Sequence, residues 1–484
     1  MNSNSVPSQD VLIVGGGTVG LSAAVFLAHH GVRALVVERE PGPQVHPRAT
    51  GIGPRTMEFL REVGLADAVN EIAIDAKGRS LGKISVETLA SADFTTMRPS
   101  AQVSASPPAY TPGVARGTCP QNRLDSVLLT RASATYGTRL VSLEQDSEGV
   151  TALLSGPDGP YEVRARYLIG ADGVRSTVRT TLGIGASGPG VVGPSTNNVL
   201  FRADLRGIVG DARFAVCDVT APDSPGMIVT IDGEKEWVFH TTGDASRAFD
   251  LVRRAIGDPS VEVEIVSVLP WRPRAQVADS FSTGRVFLVG DAAHAVPPLG
   301  AFGMNTGIAD AHNLAWKLAY VLRGEAGPGL LDTYGSERRP VAVMTMEQAL
   351  LRLSDARLHW APGMAAERAR VGAINAPVVH MGYRYGTPMS ELPSTEDLAL
   401  DLDGSVGSRV PHLWVADGVS SLDLVGSRFT VLADAGDPVW ASAGARLIDG
   451  WPYGPLLVRP DGIVAWKATT PDALPTAMND LLHR

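Results

Sequence analysis

Only two cysteines, Cys119 and Cys217, occur in the 484 residues, and no CxxC pair exists. A disulfide framework and a cysteine-held zinc site are thereby excluded. Lysine is nearly as scarce, with five residues, and the net charge is -9. Such a chain repels a phosphate backbone and offers no lysine-rich patch to an anionic membrane, so neither nucleic acid nor a membrane is an expected partner. HExxH and GxSxG are absent, and His29 and His30 have no acid at ligand spacing, so no metal site and no serine-hydrolase elbow is expected. Met1–Asp10 carries no positive charge and has no apolar run directly behind it. It does not read as a secretory signal, and a cytoplasmic protein is expected.

What is present is a well-supplied globular chain. Hydrophobic residues make up 44% and charged residues 19%, enough for a core, and the length suits two or three domains. Val11 to Ala28 runs 18 residues without a charge, yet three consecutive glycines interrupt it. That pattern fits a strand, a turn and a helix better than a bilayer span. Leu140 to Asp172 reads as an antiparallel meander, and Asn198 to Trp271 as a separate strand-rich unit. Helices are predicted over Pro54–Leu65, Val174–Leu182 and Pro340–Ala356, and a linker over Gly386–Pro411.

Val11–Val14 is followed by Gly15-Gly16-Gly17-Thr18-Val19-Gly20, a small-residue helix, and a second apolar strand that ends in Glu38, 18 residues past Gly20. This is a complete dinucleotide-binding βαβ pattern. Gly15 permits the tight turn, Gly17 lets amides approach a pyrophosphate, and Gly20 lets the helix sit close to the sheet. Glu38 suits two ribose hydroxyls and repels a 2′-phosphate, so FAD or NAD is expected there rather than NADP. Gly183, Gly185 and Gly188 repeat the glycine spacing but open no helix, and are read as a loop. Two later runs each end a strand in a turn: Tyr167 to Ser176, containing Asp172-Gly173, and Gly290 to Gly307, containing Gly290-Asp291 and Pro297-Pro298.

In this ordered set of motifs the sequence resembles the class A flavoprotein monooxygenases of p-hydroxybenzoate hydroxylase type. Within them it looks most like the actinobacterial aromatic polyketide hydroxylases, such as the tetracenomycin, aklavinone and angucycline hydroxylases, which share the stretch around Arg48 and that at Arg55-Thr56-Met57-Glu58. The resemblance implies an α/β architecture in three parts. A discontinuous Rossmann-like FAD-binding domain would take residues 1–75, 101–182 and 276–385, a β-rich substrate domain 76–100 and 183–275, and a thioredoxin-like domain without cysteine 400–484. Glu38 would hold the adenosine ribose of FAD, with Gly15, Gly17, Thr18, Val19, Gly20 and Arg39 completing the nucleotide site. Gln121 and Asp291, beside Gly290, would hold the ribityl and phosphate region. Asp172 and Gly173 would support the FAD site and bear on NAD(P)H access, and Arg48 would lie near the flavin. Reduced flavin is anionic, so amides of Gly303, Met304 and Asn305 at a helix start would stabilise it, while Pro298 and Gly300 form a stiff, bare loop for the ring. Ala301 stands where relatives often have glycine.

The implied activity is an FAD-dependent monooxygenation of a polycyclic aromatic polyketide. NADPH or NADH would act as transient reductant and dioxygen as co-substrate, through a C4a-hydroperoxyflavin kept dry by the protein. Candidates for catalysis are Arg48, His240, Tyr110 and Trp271; His294, beside Asp291, reads better as a structural histidine than as a base. A monomer or weak homo-oligomer is expected. A Baeyer–Villiger oxygenase on the same scaffold, a flavin reductase, and a flavin-binding protein that sequesters an aromatic ligand remain as alternatives.

Overall fold

The computed structural model describes residues 8–75, 79–98, 109–360, 363–388, 400 and 402–483. Parts of the expected domain boundaries, at 76–78 and 99–108, and residues 389–399 and 401 of the Gly386–Pro411 linker lie outside the described residues. Ser8–Val14 (β1), Thr18–His29 (α1) and Ala34–Val37 (β2) form a parallel βαβ unit in which Val14 lies beside Val37. Val11, Leu12 and Ile13 are wholly buried, as suits a parallel strand covered on both faces. Pro54–Glu62 (α2) carries its proline in the first turn, where no amide is lost. Lys83–Val86 (β3) leaves this unit for another sheet, and Gln121–Leu128 (α3) returns to pack on α1.

Arg139–Gln145 (β4), Val150–Gly156 (β5) and Gly159–Gly170 (β6) form the antiparallel meander. The long β6 also runs parallel beside β1 in its second half, which ties the meander into the sheet of β1 and β2. Thr177–Thr181 (α4) is shorter than the helix expected over 174–182. Asp172 accepts hydrogen bonds from Ser176 Oγ and the Val178 amide, and these hold the chain in a turn until the helix can start.

Ala186–Val191 (β7), Thr196–Arg202 (β8), Val216–Val219 (β9), Gly226–Thr230 (β10), Glu236–Thr241 (β11), Ala248–Ile256 (α5) and Glu264–Trp271 (β12) come next. A six-stranded sheet has the order β12-β8-β11-β10-β9-β3. Val199, Phe201 and Phe239 on one of its faces are buried with Leu251 and Val252 of α5. Arg274–Ala278 (β13) pairs with β7, so Gly188 sits in a strand, beside a bulge, and not in the loop expected there. A fully bare α-carbon lets β13 approach: a Cβ on Gly188 would meet the Ala275 carbonyl oxygen at 2.6 Å.

Val286–Leu288 (β14) returns parallel to β6, and Phe302–Leu322 (α6) and Asp332–Ser354 (α7) follow. The last of these begins well before the helix expected from Pro340 and keeps that proline inside it. Tertiary bonds on the turns before it offset the lost amide bond: Tyr334 to the Leu288 carbonyl, Arg338 to Asp310 and Arg339 to the Ala278 carbonyl. Thr430–Asp434 (β15), Pro438–Ser442 (α8), Arg446–Ile448 (β16), Leu456–Val458 (β17), Val464–Lys467 (β18) and Leu474–Leu481 (α9) make the C-terminal unit. The chain is thus a mixed α/β fold, with a separate C-terminal unit around a four-stranded sheet of order β16-β15-β17-β18. At its entry Leu400 and Leu402 are buried against Val378 and Tyr383, so this end of the expected linker is packed. Among the described residues no helix is long and apolar enough to cross a membrane.

Candidate active site

Val14, Gly170 and Leu288 are neighbours in one row across β1, β6 and β14. The turn of Gly15, the turn of Asp172-Gly173 and the turn of Gly290-Asp291 therefore leave the carboxyl ends of three adjacent parallel strands side by side. That edge is where an open α/β sheet receives a nucleotide. Gly15 has φ +112°, and a Cβ there would meet the Ala171 carbonyl oxygen at 2.3 Å. One on Gly20 would lie 1.9 Å from the Gly15 oxygen, so α1 presses directly on the first turn. Gly17, between them, has nothing within 4 Å of a Cβ position. Packing explains the outer two glycines, and open space above the N-terminus of α1 explains the middle one.

Two helices present unfinished N-termini to this region. Neither α1, entered from Gly17, nor the long α6, entered from Ala301, has a side-chain cap. Their first-turn amides and positive dipole ends are left for an anion or an electron-rich ring edge. Val19 of α1 packs against Gly290, and a Cβ on Gly307 of α6 would meet both, so the two helices converge beside the Gly290 turn. Glu38 lies at the end of β2, where its carboxylate accepts from the amides of Gly16 at 2.7 Å and Glu40 at 2.9 Å. These bonds orient it while leaving lone pairs for hydroxyl donors. Arg39 is exposed and pairs with Glu40.

Asp291 is exposed in a cleft walled by surrounding chain. The loss of water around it pushes its carboxyl up, against the opposing charges of His294 and Arg48. Arg48, itself exposed, thus stands by the second Gly-Asp turn. Gln121 opens α3, with its amide on the Ala49 carbonyl, so Arg48 and Gln121 are carried by paired segments. Gly173 has φ +79° and open space above it, while both oxygens of Asp172 are committed to the turn that starts α4. Pro298 is exposed and Gly300 buried beside the Phe302 ring. Ala301 adopts φ 54°, the left-handed region that favours glycine. Gly303 and Met304 lie half-buried in the first turn of α6. Asn305 binds the Gly53 amide and Thr56 Oγ1 through Oδ1, and the Gly51 and Ala301 carbonyls through Nδ2. Its side chain is a clamp between the start of α2 and the 300s loop.

The four catalytic candidates separate. His240 and Trp271 lie on the same face of the six-stranded sheet, across Asn198 and Thr196 of β8. Arg48 adjoins that face through His46, whose Nδ1 meets Ser267 Oγ at 2.8 Å. Tyr110 is elsewhere: it packs with Phe302, Val378 and Tyr383, and its carbonyl accepts from Arg409 of the C-terminal segment. His294 donates from Nε2 to Asp310 Oδ2 at 2.7 Å, both side chains wholly buried, and Asp310 in turn accepts from Arg338. It is a structural histidine.

Sequence reasoning missed several members of the site. Asp125 is buried on α3 and accepts from Thr18 Oγ1 at 2.5 Å; burial pushes its carboxyl up to about 6. Its spacing of one helical turn from Gln121 was the available signal. His46, Asn198 and Ser267 carried none, since only sheet register brings them together.

Residues 8–349 match the family described as FAD binding domain, and residues 403–484 the one described as aromatic-ring hydroxylase, C-terminal. A tetracenomycin B2 monooxygenase-dioxygenase of Streptomyces olivaceus is 38% identical, covering 97% of this chain and 97% of that protein. A 4-methyl-5-nitrocatechol 5-monooxygenase of Burkholderia sp is 37% identical over 95% of this chain and 94% of its own. Among solved structures, a ternary complex of aklavinone-11 hydroxylase with FAD and aklavinone superposes with a TM-score of 0.82 at 34% identity, over 100% of both chains. The chain belongs to the class A FAD-dependent aromatic hydroxylases related to the actinobacterial polyketide hydroxylases. It is an FAD-dependent monooxygenase that draws on NAD(P)H.

Proposed function

We propose that this enzyme hydroxylates a polycyclic aromatic polyketide. The observation that carries the reading is the single row formed by Val14, Gly170 and Leu288, which sets three glycine-bearing turns at one sheet edge beside two uncapped helix N-termini. Gly15, Gly17, Thr18, Val19 and Gly20 hold the pyrophosphate end of FAD, and Glu38, with Arg39 nearby, its adenosine ribose. Gln121, Gly290 and Asp291 hold the ribityl chain, and Arg48 stands by the ring. Pro298, Gly300, Gly303, Met304 and Asn305 form its seat, with the first amides of α6 stabilising negative charge on the reduced ring. Asp172 and Gly173 shape the wall of the cleft. When bound, FAD reduced by NAD(P)H supplies the activation of dioxygen. The chain's own work is to orient the aromatic ring and to exclude water.

Two finer points of architecture support the same reading. The parallel β1, β2, β6 and β14 suit a Rossmann-like domain. In the C-terminal unit, two parallel strands joined by α8 and two antiparallel ones suit a thioredoxin-like fold. With no cysteine in it, that domain has no thiol chemistry. A cytoplasmic setting fits the demand for NAD(P)H. Purified yellow protein incubated with NADPH or NADH, oxygen and a panel of tricyclic and tetracyclic quinones is expected to give a phenolic product by mass and NMR. A lactone would move the assignment to Baeyer–Villiger insertion, and tight ligand binding with no bleaching of the flavin by either reductant would make it a sequestering protein.

A further inference from the structure

The six-stranded sheet is packed unequally on its two faces. One buries a large apolar cluster with α5. The other carries the small cluster of Leu200, Ile231 and Val238, and beside it Met227, Val229, Leu269 and Trp271 are only half-buried. This second face looks toward His46 and Arg48, and Arg48 in turn acts on Asp291 at the mouth of the nucleotide edge. An apolar floor that the chain leaves half-covered, beside the flavin site, suits a flat ring system.

Two imidazoles stand on that floor. His240 Nδ1 meets Asn198 Oδ1 at 2.7 Å. An amide oxygen can only accept, so Nδ1 carries the proton and Nε2 the lone pair. Among the described residues that Nε2 has no hydrogen-bond partner. The neighbouring His46 meets Ser267 Oγ through Nδ1, and its own Nε2 is buried without a partner. A buried polar atom such as His46 Nε2 costs stability unless a ligand or water meets it.

We propose that His240 Nε2 accepts a hydrogen bond from a phenolic hydroxyl of the aromatic substrate, and that Asn198 is the positioning residue that holds the imidazole in the accepting tautomer. This rests on the reading of the cleft as the substrate cavity of an aromatic hydroxylase. The proton stays on the substrate oxygen. Burial, aided by His46, holds His240 down at about 4, whereas a phenol sits near roughly 10, so complete transfer is uphill by about a millionfold. His240 orients the ring and feeds electron density into it through the polarised O–H bond, without acting as a base.

The test compares 2-hydroxyanthraquinone with 2-methoxyanthraquinone, binding to FAD-loaded enzyme by absorbance titration. The wild type is expected to favour the hydroxyl probe by about tenfold. His240→Phe and Asn198→Leu should bring that ratio to about one. His240→Gln, whose side-chain carbonyl can accept, should restore part of it; a purely structural role for His240 would weaken both probes alike. Equal affinity in the wild type, or a ratio unmoved by His240→Phe, overturns the inference and leaves the hydroxylase reading standing. Binding of neither probe to the FAD-loaded protein overturns both.

Discussion

Arg459, close to the C-terminus, sets its two terminal guanidinium nitrogens on the two carboxylate oxygens of Glu337 in α7, at 2.6 and 2.9 Å. The same Glu337 holds Lys317 of α6, and Arg459 also holds Asp461, whose carbonyl accepts from Arg55 of α2. A second buried pair, Glu58 with Arg409, runs parallel to it. The C-terminal unit is thus fastened to α7 and, through Lys317, Arg55 and Glu58, to the two helices whose N-termini carry Thr56 and Asn305, the clamp under the 300s loop. A buried bidentate pair broken on one side leaves an uncompensated charge. Arg459→Met is expected to cost about 3–5 kcal/mol, and Arg459→Lys to rescue little, because an ammonium cannot reproduce the fork. Thermal melting of the FAD-loaded protein measures this, and a melting temperature equal to the wild type in both variants would refute it.

Glu38 does two things: it orders the glycine turn through the Gly16 amide, and it offers acceptors at the end of β2. Glu38→Arg removes both and places a cation among donors. The purified protein is expected to be colourless, with flavin content reduced at least tenfold. Glu38→Gln keeps an acceptor oxygen and should retain flavin at weakened affinity. Full occupancy in Glu38→Arg would show that this strand end does not hold the adenosine ribose.

Ala301 is one of two residues other than glycine with positive φ, among the described residues. The left-handed geometry costs alanine about 1–2 kcal/mol, and glycine's greater freedom in the unfolded chain returns less than that. Ala301→Gly should therefore stabilise the protein by roughly 0.5–1 kcal/mol, and Ala301→Val should destabilise it. Chemical denaturation followed by flavin release distinguishes them. The reverse order would mean that the alanine methyl makes a contact worth more than the strain.

Much of this was legible in the residue order. The βαβ unit, the three motif turns and the strand-rich middle follow from local signals: glycine where only glycine fits, apolar runs of strand length, and turn residues between them. What was hidden needed register or tertiary contact. Pro340 marks a helix start by local rules, yet it lies inside α7, because Tyr334, Arg338 and Arg339 anchor the turns that precede it. Gly188 resembled a loop because nothing in its neighbours announces a bulged strand against β13. Tyr110 was grouped with His240 and Trp271 as lying in a segment that could face a substrate cavity, and only the fold carries it to the junction with Arg409.

Asp125 offers a pH-dependent test of the proposed nucleotide site. It and Thr18 are both 2% exposed, and the Thr18 bond only partly offsets the loss of water, so its carboxyl rises from 3.8 to about 6. Below pH 4 folded and unfolded chains both carry the proton. Between about 4 and 6 the folded state keeps it and the unfolded state has lost it, so this group's contribution to stability falls as pH rises through that window. Above it the ionised group costs about 3 kcal/mol. Asp125→Asn keeps an acceptor for Thr18 and cannot ionise. The advantage of the variant over the wild type is expected to grow by about 2 kcal/mol between pH 4.5 and pH 7.5, in denaturant titrations of FAD-loaded protein. A variant weaker than the wild type at both values would mean that the carboxylate is held by a stronger partner than Thr18, and that the start of α1 tolerates a negative charge beneath the pyrophosphate site.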